Sequence, residues 1–159
     1  MTDVREADLS DPAQADALVR IIDAYARGPG GQDAPLSAEA RAAMAPGLAA
    51  HPAAFALLAW EGEAIVGAAV CVWGFSTFAG RPSLNVHDLA VLPGHRGRGA
   101  GRALLEEVEH RARARGSAKL TLEVHDTNEG AKRLYRRFGF GGWESPTLFV
   151  TKPLDAEPT

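Results

Sequence analysis

DLAVLPGHRGRGAGRALL, residues 88–105, is the stretch on which the fold turns: an apolar strand-like run enters a glycine-rich turn and passes straight into residues with helical spacing. A strand-to-helix junction of this composition suits an anion. Glycines let the backbone approach closely, the first amides of a helix lack internal partners, and the helix dipole adds about 0.3–1 kcal/mol per negative charge. Arg96, Arg98 and Arg102 bring full charges suited to phosphate oxygens. Two common phosphate motifs fail on detail. A P-loop needs Lys and then Ser or Thr after its second glycine, where this chain has Arg102-Ala103 after Gly101. A dinucleotide fingerprint begun at Gly97 puts Arg102 in its last glycine position, and one begun at Gly99 puts Leu104 there. What fits is R-x-x-G-x-G from Arg96 to Gly101, a pattern that alone also suits a plain helix start with solvated arginines.

Working outward, the helix opened by this turn is expected over Arg98 to Arg115, with Leu104, Leu105, Val108 and Ala112 on one face and Gly116 as its stop. Lys119 to Val124 alternates as a strand, Glu129 to Phe138 reads as a helix, and Thr147 to Lys152 as a last strand. Upstream, Ser83 to Leu92 is a strand, and Ala54–Trp60 with Ala64–Phe75 form a hairpin about Glu61-Gly62-Glu63. Asp11-Pro12 starts a helix carrying Leu18, Ile21, Ile22 and Tyr25, ended by Gly28-Pro29-Gly30-Gly31. Ser37 caps a second helix that Pro46-Gly47 interrupts and Pro52 closes, leaving a loop over 27–36. The order predicted is βααβββαβαββ, a mixed sheet with helices on its faces.

The helix after Lys119–Val124 carries a second motif, Asn128-Glu-Gly-Ala131-Lys-Arg-Leu134-Tyr135-Arg-Arg-Phe-Gly139-Phe140, or N-x-x-A-x-x-L-Y-x-x-x-G-F. Together the two segments resemble the GNAT family of N-acetyltransferases, with every fixed position of both patterns present between about Leu84 and Phe140. The resemblance implies an α/β (α+β) fold: a mixed, mostly antiparallel sheet of about six to seven strands, two splayed parallel central strands and four helices. It implies acetyl-CoA as co-substrate, in the gap between Val86–Leu92 and Lys119–Val124. By the same resemblance Leu89, Ala90 and Val91 pair with the pantetheine arm, and Arg96 with the backbone of Gly97, Arg98, Gly99, Ala100, Gly101 and Arg102 holds the pyrophosphate. Asn128 contacts the pantetheine region and Tyr135 points its hydroxyl at the sulfur.

The implied chemistry is direct attack of a primary amine on a thioester in a ternary complex. An amine with a pKa near ~10.4 must first lose a proton, so a base or a water relay is required. His87 occupies a strand position from which an imidazole can receive that proton, and Asp88 is adjacent but faces the opposite side of an ideal strand unless a bulge intervenes. A sheet histidine bonded to a loop and a loop-anchoring Asp88 remain alternatives, and Glu123 and His125 are reserve candidates. A strand amide near Leu89 can stabilise the oxyanion, and Tyr135, also readable as a core tyrosine, can protonate the leaving thiolate. The acceptor is expected beside the 27–36 loop and Trp73, Phe75 and Phe78. A binding module for acyl-CoA without turnover is the competing reading.

Length and composition narrow the partners. With 159 residues, 46% hydrophobic and 23% charged, the chain reads as one domain, 1–159, with 153–159 a flexible tail. The apolar run Ala64–Phe75 falls short of the ~20 residues of a membrane span, and the acidic start MTDVREADLSD is unlike a signal peptide, so a cytoplasmic protein with no membrane partner is expected. Cys71, the single cysteine, reads as a small buried hydrophobe. The five histidines form no close ligand pair, so no metal is expected. The net charge of −3 and glutamates interleaved with the arginines argue against nucleic acid. Residues 1–80 hold four Lys/Arg against ten Asp/Glu and residues 81–159 thirteen against ten, which suggests an anionic cofactor on one side and a cationic amine, near Asp23, Asp33 and Glu39, on the other. A homodimer is compatible with the resemblance.

Overall fold

In the computed structural model, residues 1–155 are described. Five strands, β1 (Thr2–Glu6), β2 (Ala54–Glu61), β3 (Ala64–Ser76), β4 (Arg81–Val91) and β5 (Leu120–Leu122), form one sheet in that order. Four helices accompany it: α1 (Pro12–Arg27), α2 (Ala38–Ala50), α3 (Ala100–Ala114) and α4 (Glu129–Arg137). All strand pairs are antiparallel except β4 and β5. The α/β architecture expected from the sequence is therefore present.

Alternation along the strands divides the core into two layers. Leu57, Ala69, Cys71, Leu84 and Val86 face Leu104, Leu105, Val108 and Ala112 of α3. Ala56, Leu58, Ala68, Val70 and Ala90 face Leu18, Ile21 and Ile22 of α1. Local chemistry sets the helix ends: the Asp11 carboxylate accepts from the Ala13 amide ahead of Pro12, and the Ser37 hydroxyl accepts from Ala40. Among the described residues no helix is long and apolar enough to cross a membrane.

Two expectations are corrected. The helix α2 runs unbroken through Pro46. It is largely exposed, so the carbonyl that loses its hydrogen bond to proline can turn to water. The sheet has five strands among the described residues, and 147–152 is not one of them. After α4 the chain turns at Gly139 (φ 99°) and Gly142 (φ 91°), and the Trp143 indole donates to the Phe140 carbonyl at 2.6 Å beneath the Arg136 guanidinium. Leu148, Phe149 and Val150 beyond it are exposed and lie outside the sheet. A cavity of about 1030 Å³ remains between β5, α4 and the 138–149 segment. Part of the expected tail, from residue 156 on, lies outside the described residues.

Candidate active site

The β4 and β5 strands pair in parallel only at Leu84–Leu120, Asn85–Thr121 and Val86–Leu122. Beyond that point the partner edge of β4 carries no strand among the described residues, while its other edge stays paired to β3 through Val91. The backbone of Leu89, Ala90 and Val91 thus borders an open V between parallel strands.

A bulge in β4 decides which side chains look into the V. Cys71 pairs with Val86 and Val70 with Asp88, so His87 is an extra residue. In consequence Val86 and Leu89, three positions apart, both face the α3 layer, while Asp88 turns with Ala90 toward α1. His87 is exposed beside it, as are Glu123 and His125 across the gap. The Asp88 carboxylate accepts no hydrogen bond among the described residues. Burial pushes its carboxyl above the ordinary range, opposed by His87 and reinforced by Glu123.

Two tyrosines, one on α1 and one on α4, lie near enough to Asp88 to feel its charge. Tyr135, on the inner face of α4, is 6% exposed and packs edge-on against Phe140 at 5.7 Å. Burial pushes its phenol up to about 12, with Tyr25 and Asp88 adding to the rise. Tyr25, in the last turn of α1, is half-buried, and burial and Asp88 also raise its pKa. Its ring lies under Gly30, where a β-carbon would stand 3.2 Å from Tyr25 Cε2, 3.6 Å from its hydroxyl and 2.7 Å from Asn128 Nδ2. Asn128 caps α4, its Oδ1 accepting from the Ala131 amide at 3.2 Å. The sequence reading placed Tyr25 in an apolar stripe; the available signal was a phenol at the end of that stripe, next to a glycine turn, needing a polar neighbour.

The glycine turn takes the shape a phosphate cradle needs. A 3₁₀ turn at Pro93–His95 leads into Gly97 (φ 76°) and Gly99 (φ 94°), and a β-carbon on either would meet nothing within 4 Å. Gly99 is the N-cap of α3 and offers no side-chain cap, so the first amides of the helix are free for an anion. Gly101 packs closely instead, its β-carbon position 3.2 Å from Leu134. Arg96 Nε donates to the Val91 carbonyl at 3.0 Å and so closes the turn. Arg98 lies 3.7 Å from Glu61, which also holds His95 at 2.8 Å, and Arg102 pairs with Glu106 at 2.8 Å. The three arginines thus flank the cradle with internal partners already in place.

Other candidates lie elsewhere. Trp73 pairs with Leu84, stacks on Phe55 and sits 4.3 Å beneath the Arg115 guanidinium on the α3 face. Phe75 and Phe78 are exposed at the far end of the β3–β4 hairpin, so none of the three joins Asp88. Asp23 is committed to Arg27, Arg41 and the Leu36 amide, which together lower its pKa against the effect of burial. Cys71 is fully buried and burial pushes its thiol up to about 12, which suits a hydrophobe and not a nucleophile.

The sequence model of the acetyltransferase (GNAT) family matches residues 17–140. Streptothricin acetyltransferase of Streptomyces lavendulae is 47% identical over 57 residues, 36% of this chain and 30% of that protein. Thialysine N-epsilon-acetyltransferase of Bos taurus is 33% identical over 79 residues, 50% of this chain and 46% of that protein. The matched stretches span less than half the length of either relative. A ribosomal-protein-alanine N-acetyltransferase from Brucella melitensis biovar Abortus 2308 superposes with a TM-score of 0.75 at 22% identity, over 96% of this chain and 99% of that one, a likeness of fold. With the splayed strands, the glycine cradle and a family match over most of its length, the chain belongs to the GNAT acetyltransferase family.

Proposed function

We propose that the chain is an N-acetyltransferase moving acetyl from acetyl-CoA to a primary amine by direct attack in a ternary complex. The observation that carries this reading is the V where β4 leaves β5 beside an uncapped helix N-terminus, supported by a Tyr135 phenol near enough to Asp88 to feel its charge. The cradle fits acetyl-CoA: Gly97 and Gly99 leave open space above backbone amides, and the free edge of Leu89–Val91 can pair with an extended amide-bearing arm. In this reading the amides of Gly97 to Arg102 hold the pyrophosphate and Asn128 borders the arm. When bound, acetyl-CoA supplies an acetyl group activated as a thioester.

The chain's own residues then move two protons. Asp88, half-buried and with its carboxyl raised, takes one from the acceptor's ammonium. Tyr135, protonated at neutral pH, gives one to the departing sulfur. His87 tunes Asp88 from the bulge, and a β4 amide near Leu89 donates to the developing negative oxygen, a contribution worth roughly 2.7–4 kcal/mol in other enzymes.

Release of free thiol from acetyl-CoA across a panel of amines tests the proposal. Turnover that requires both acetyl-CoA and a primary amine supports it. Tight CoA binding with no turnover of any amine refutes it in favour of a binding module.

A further inference from the structure

Asp88, Tyr25 and Tyr135 carry polar atoms with no hydrogen-bond partner among the described residues. Among the described residues the fully enclosed, unpartnered side-chain atoms are Trp60 Nε1 and Ser117 Oγ, so the oxygens of these three are not sealed inside the core. Asp88 and Tyr135 have roles in the reading above, and Tyr25 has none. It is unlike the rest of its stripe: Leu18, Ile21 and Ile22 are buried against β2 and β3, whereas Tyr25 is half-buried and its ring runs under Gly30 toward the N-cap of α4. One point, the position of a Gly30 β-carbon, lies within 3.6 Å of the Tyr25 hydroxyl and 2.7 Å of Asn128 Nδ2. The hydroxyl thus lies beside the N-cap of α4, in the α1-side layer toward which Asp88 turns, and near enough to Asp88 to feel its charge.

We propose that Tyr25 is an acceptor-binding residue, its hydroxyl and the Asp88 carboxylate together holding the nitrogen of a primary ammonium group. The proposal rests on the amine-acetylating reading and adds to it the residue that selects the amine. A primary ammonium has three N–H donors. One goes to an Asp88 oxygen and a second to Tyr25 Oη. When Asp88 takes its proton, the lone pair is left on the side of Asp88; the N–H to Tyr25 remains as a tether about which the neutral nitrogen turns to bring that lone pair onto the acyl carbon. A tertiary ammonium has a single N–H and cannot satisfy both groups, and an N-methyl amine does so only in restricted orientations. The site therefore favours unhindered primary amines.

Tyr25→Phe removes the oxygen and keeps the ring under Gly30. The probe is whichever of butylamine, putrescine, spermidine, lysine and thialysine the wild type acetylates fastest, paired with its N-methyl analogue. Losing a hydrogen bond to a charged group predicts a rise of tenfold or more in the amine KM and in its calorimetric Kd on the CoA-bound protein. CoA affinity stays within twofold, and the preference for the primary amine over its N-methyl analogue shrinks. Unchanged amine affinity, or a CoA affinity that falls as far as the amine affinity, overturns the inference, the latter marking Tyr25 as a packing residue. If the variant is unaltered while the wild type turns amines over, this inference alone fails. If the wild type acetylates none of the amines, the underlying reading fails and this one with it.

Discussion

Replacing Tyr135 with phenylalanine removes one oxygen from the cleft and leaves the packing that holds the ring, the edge-on contact with Phe140 at 5.7 Å. The phenol is 6% exposed and pushed up to about 12 from an ordinary 10. At 1.36 kcal/mol per pH unit, that rise favours the protonated form by roughly 3 kcal/mol, so the group stays loaded as a proton donor at neutral pH. General acids of this kind contribute roughly 10²–10⁴-fold, and the variant's kcat should fall by that factor. Its CoA affinity should stay within twofold, because the hydroxyl acts on the leaving group and not on the bound arm. Stability supplies a second readout. A group whose folded-state pKa is raised contributes stability that is present below its unfolded pKa, about 10, and lost as pH rises through about 12. Tyr135→Phe abolishes this loss, so the fall in unfolding free energy across that window should be shallower by up to roughly 3 kcal/mol. Thiol release at saturating substrates measures the first effect and denaturant melts at several alkaline pH values the second. A kcat within threefold of wild type refutes the general-acid role.

Gly99→Ala puts a β-carbon on a residue at φ 94°, with no protein atom within 4 Å of it, so its cost is backbone strain of about 1–2 kcal/mol together with a methyl group in the cradle. CoA affinity by calorimetry should drop more than stability does, and an unchanged Kd would remove the cradle from the phosphate site. Asp88→Asn should lower kcat/KM strongly and, since a raised carboxyl costs stability as pH rises through its folded-state pKa, should increase Tm at pH 7–8 with a smaller gain near pH 4. A Tm that falls at neutral pH contradicts the burial argument. Leu104→Ala, at a fully buried position behind the cradle, should cost roughly 2–5 kcal/mol in urea unfolding.

Much of this arrangement is readable in the residues because local and long-range preferences agree. Asp11-Pro12 and Ser37 each cap the helix expected of them, and the apolar spacing of α3 matches its buried face. The glycines at 97 and 99 take the left-handed conformation that a turn before a helix demands. Three features were hidden. The bulge at His87 depends on how Val70 and Cys71 meet β4, a cross-strand registration with no local signature, and it determines that Asp88 and not Leu89 turns toward α1. Tyr25 has the spacing of a core residue, and its hydroxyl gains meaning only when the 28–31 turn folds over it. The segment 147–152 is rich in strand-forming residues, yet Leu148, Phe149 and Val150 lie exposed outside the sheet, a tertiary outcome that local propensity does not encode.

The central claim is tested most directly by incubating the protein with acetyl-CoA labelled in the acetyl group and the amine panel, then following the label by mass spectrometry. The account predicts one labelled acetyl group on the nitrogen of a primary amine, in step with release of free CoA and dependent on Tyr135 and Asp88. Label that stays on CoA, or thiol released without an acetylated amine, would contradict it.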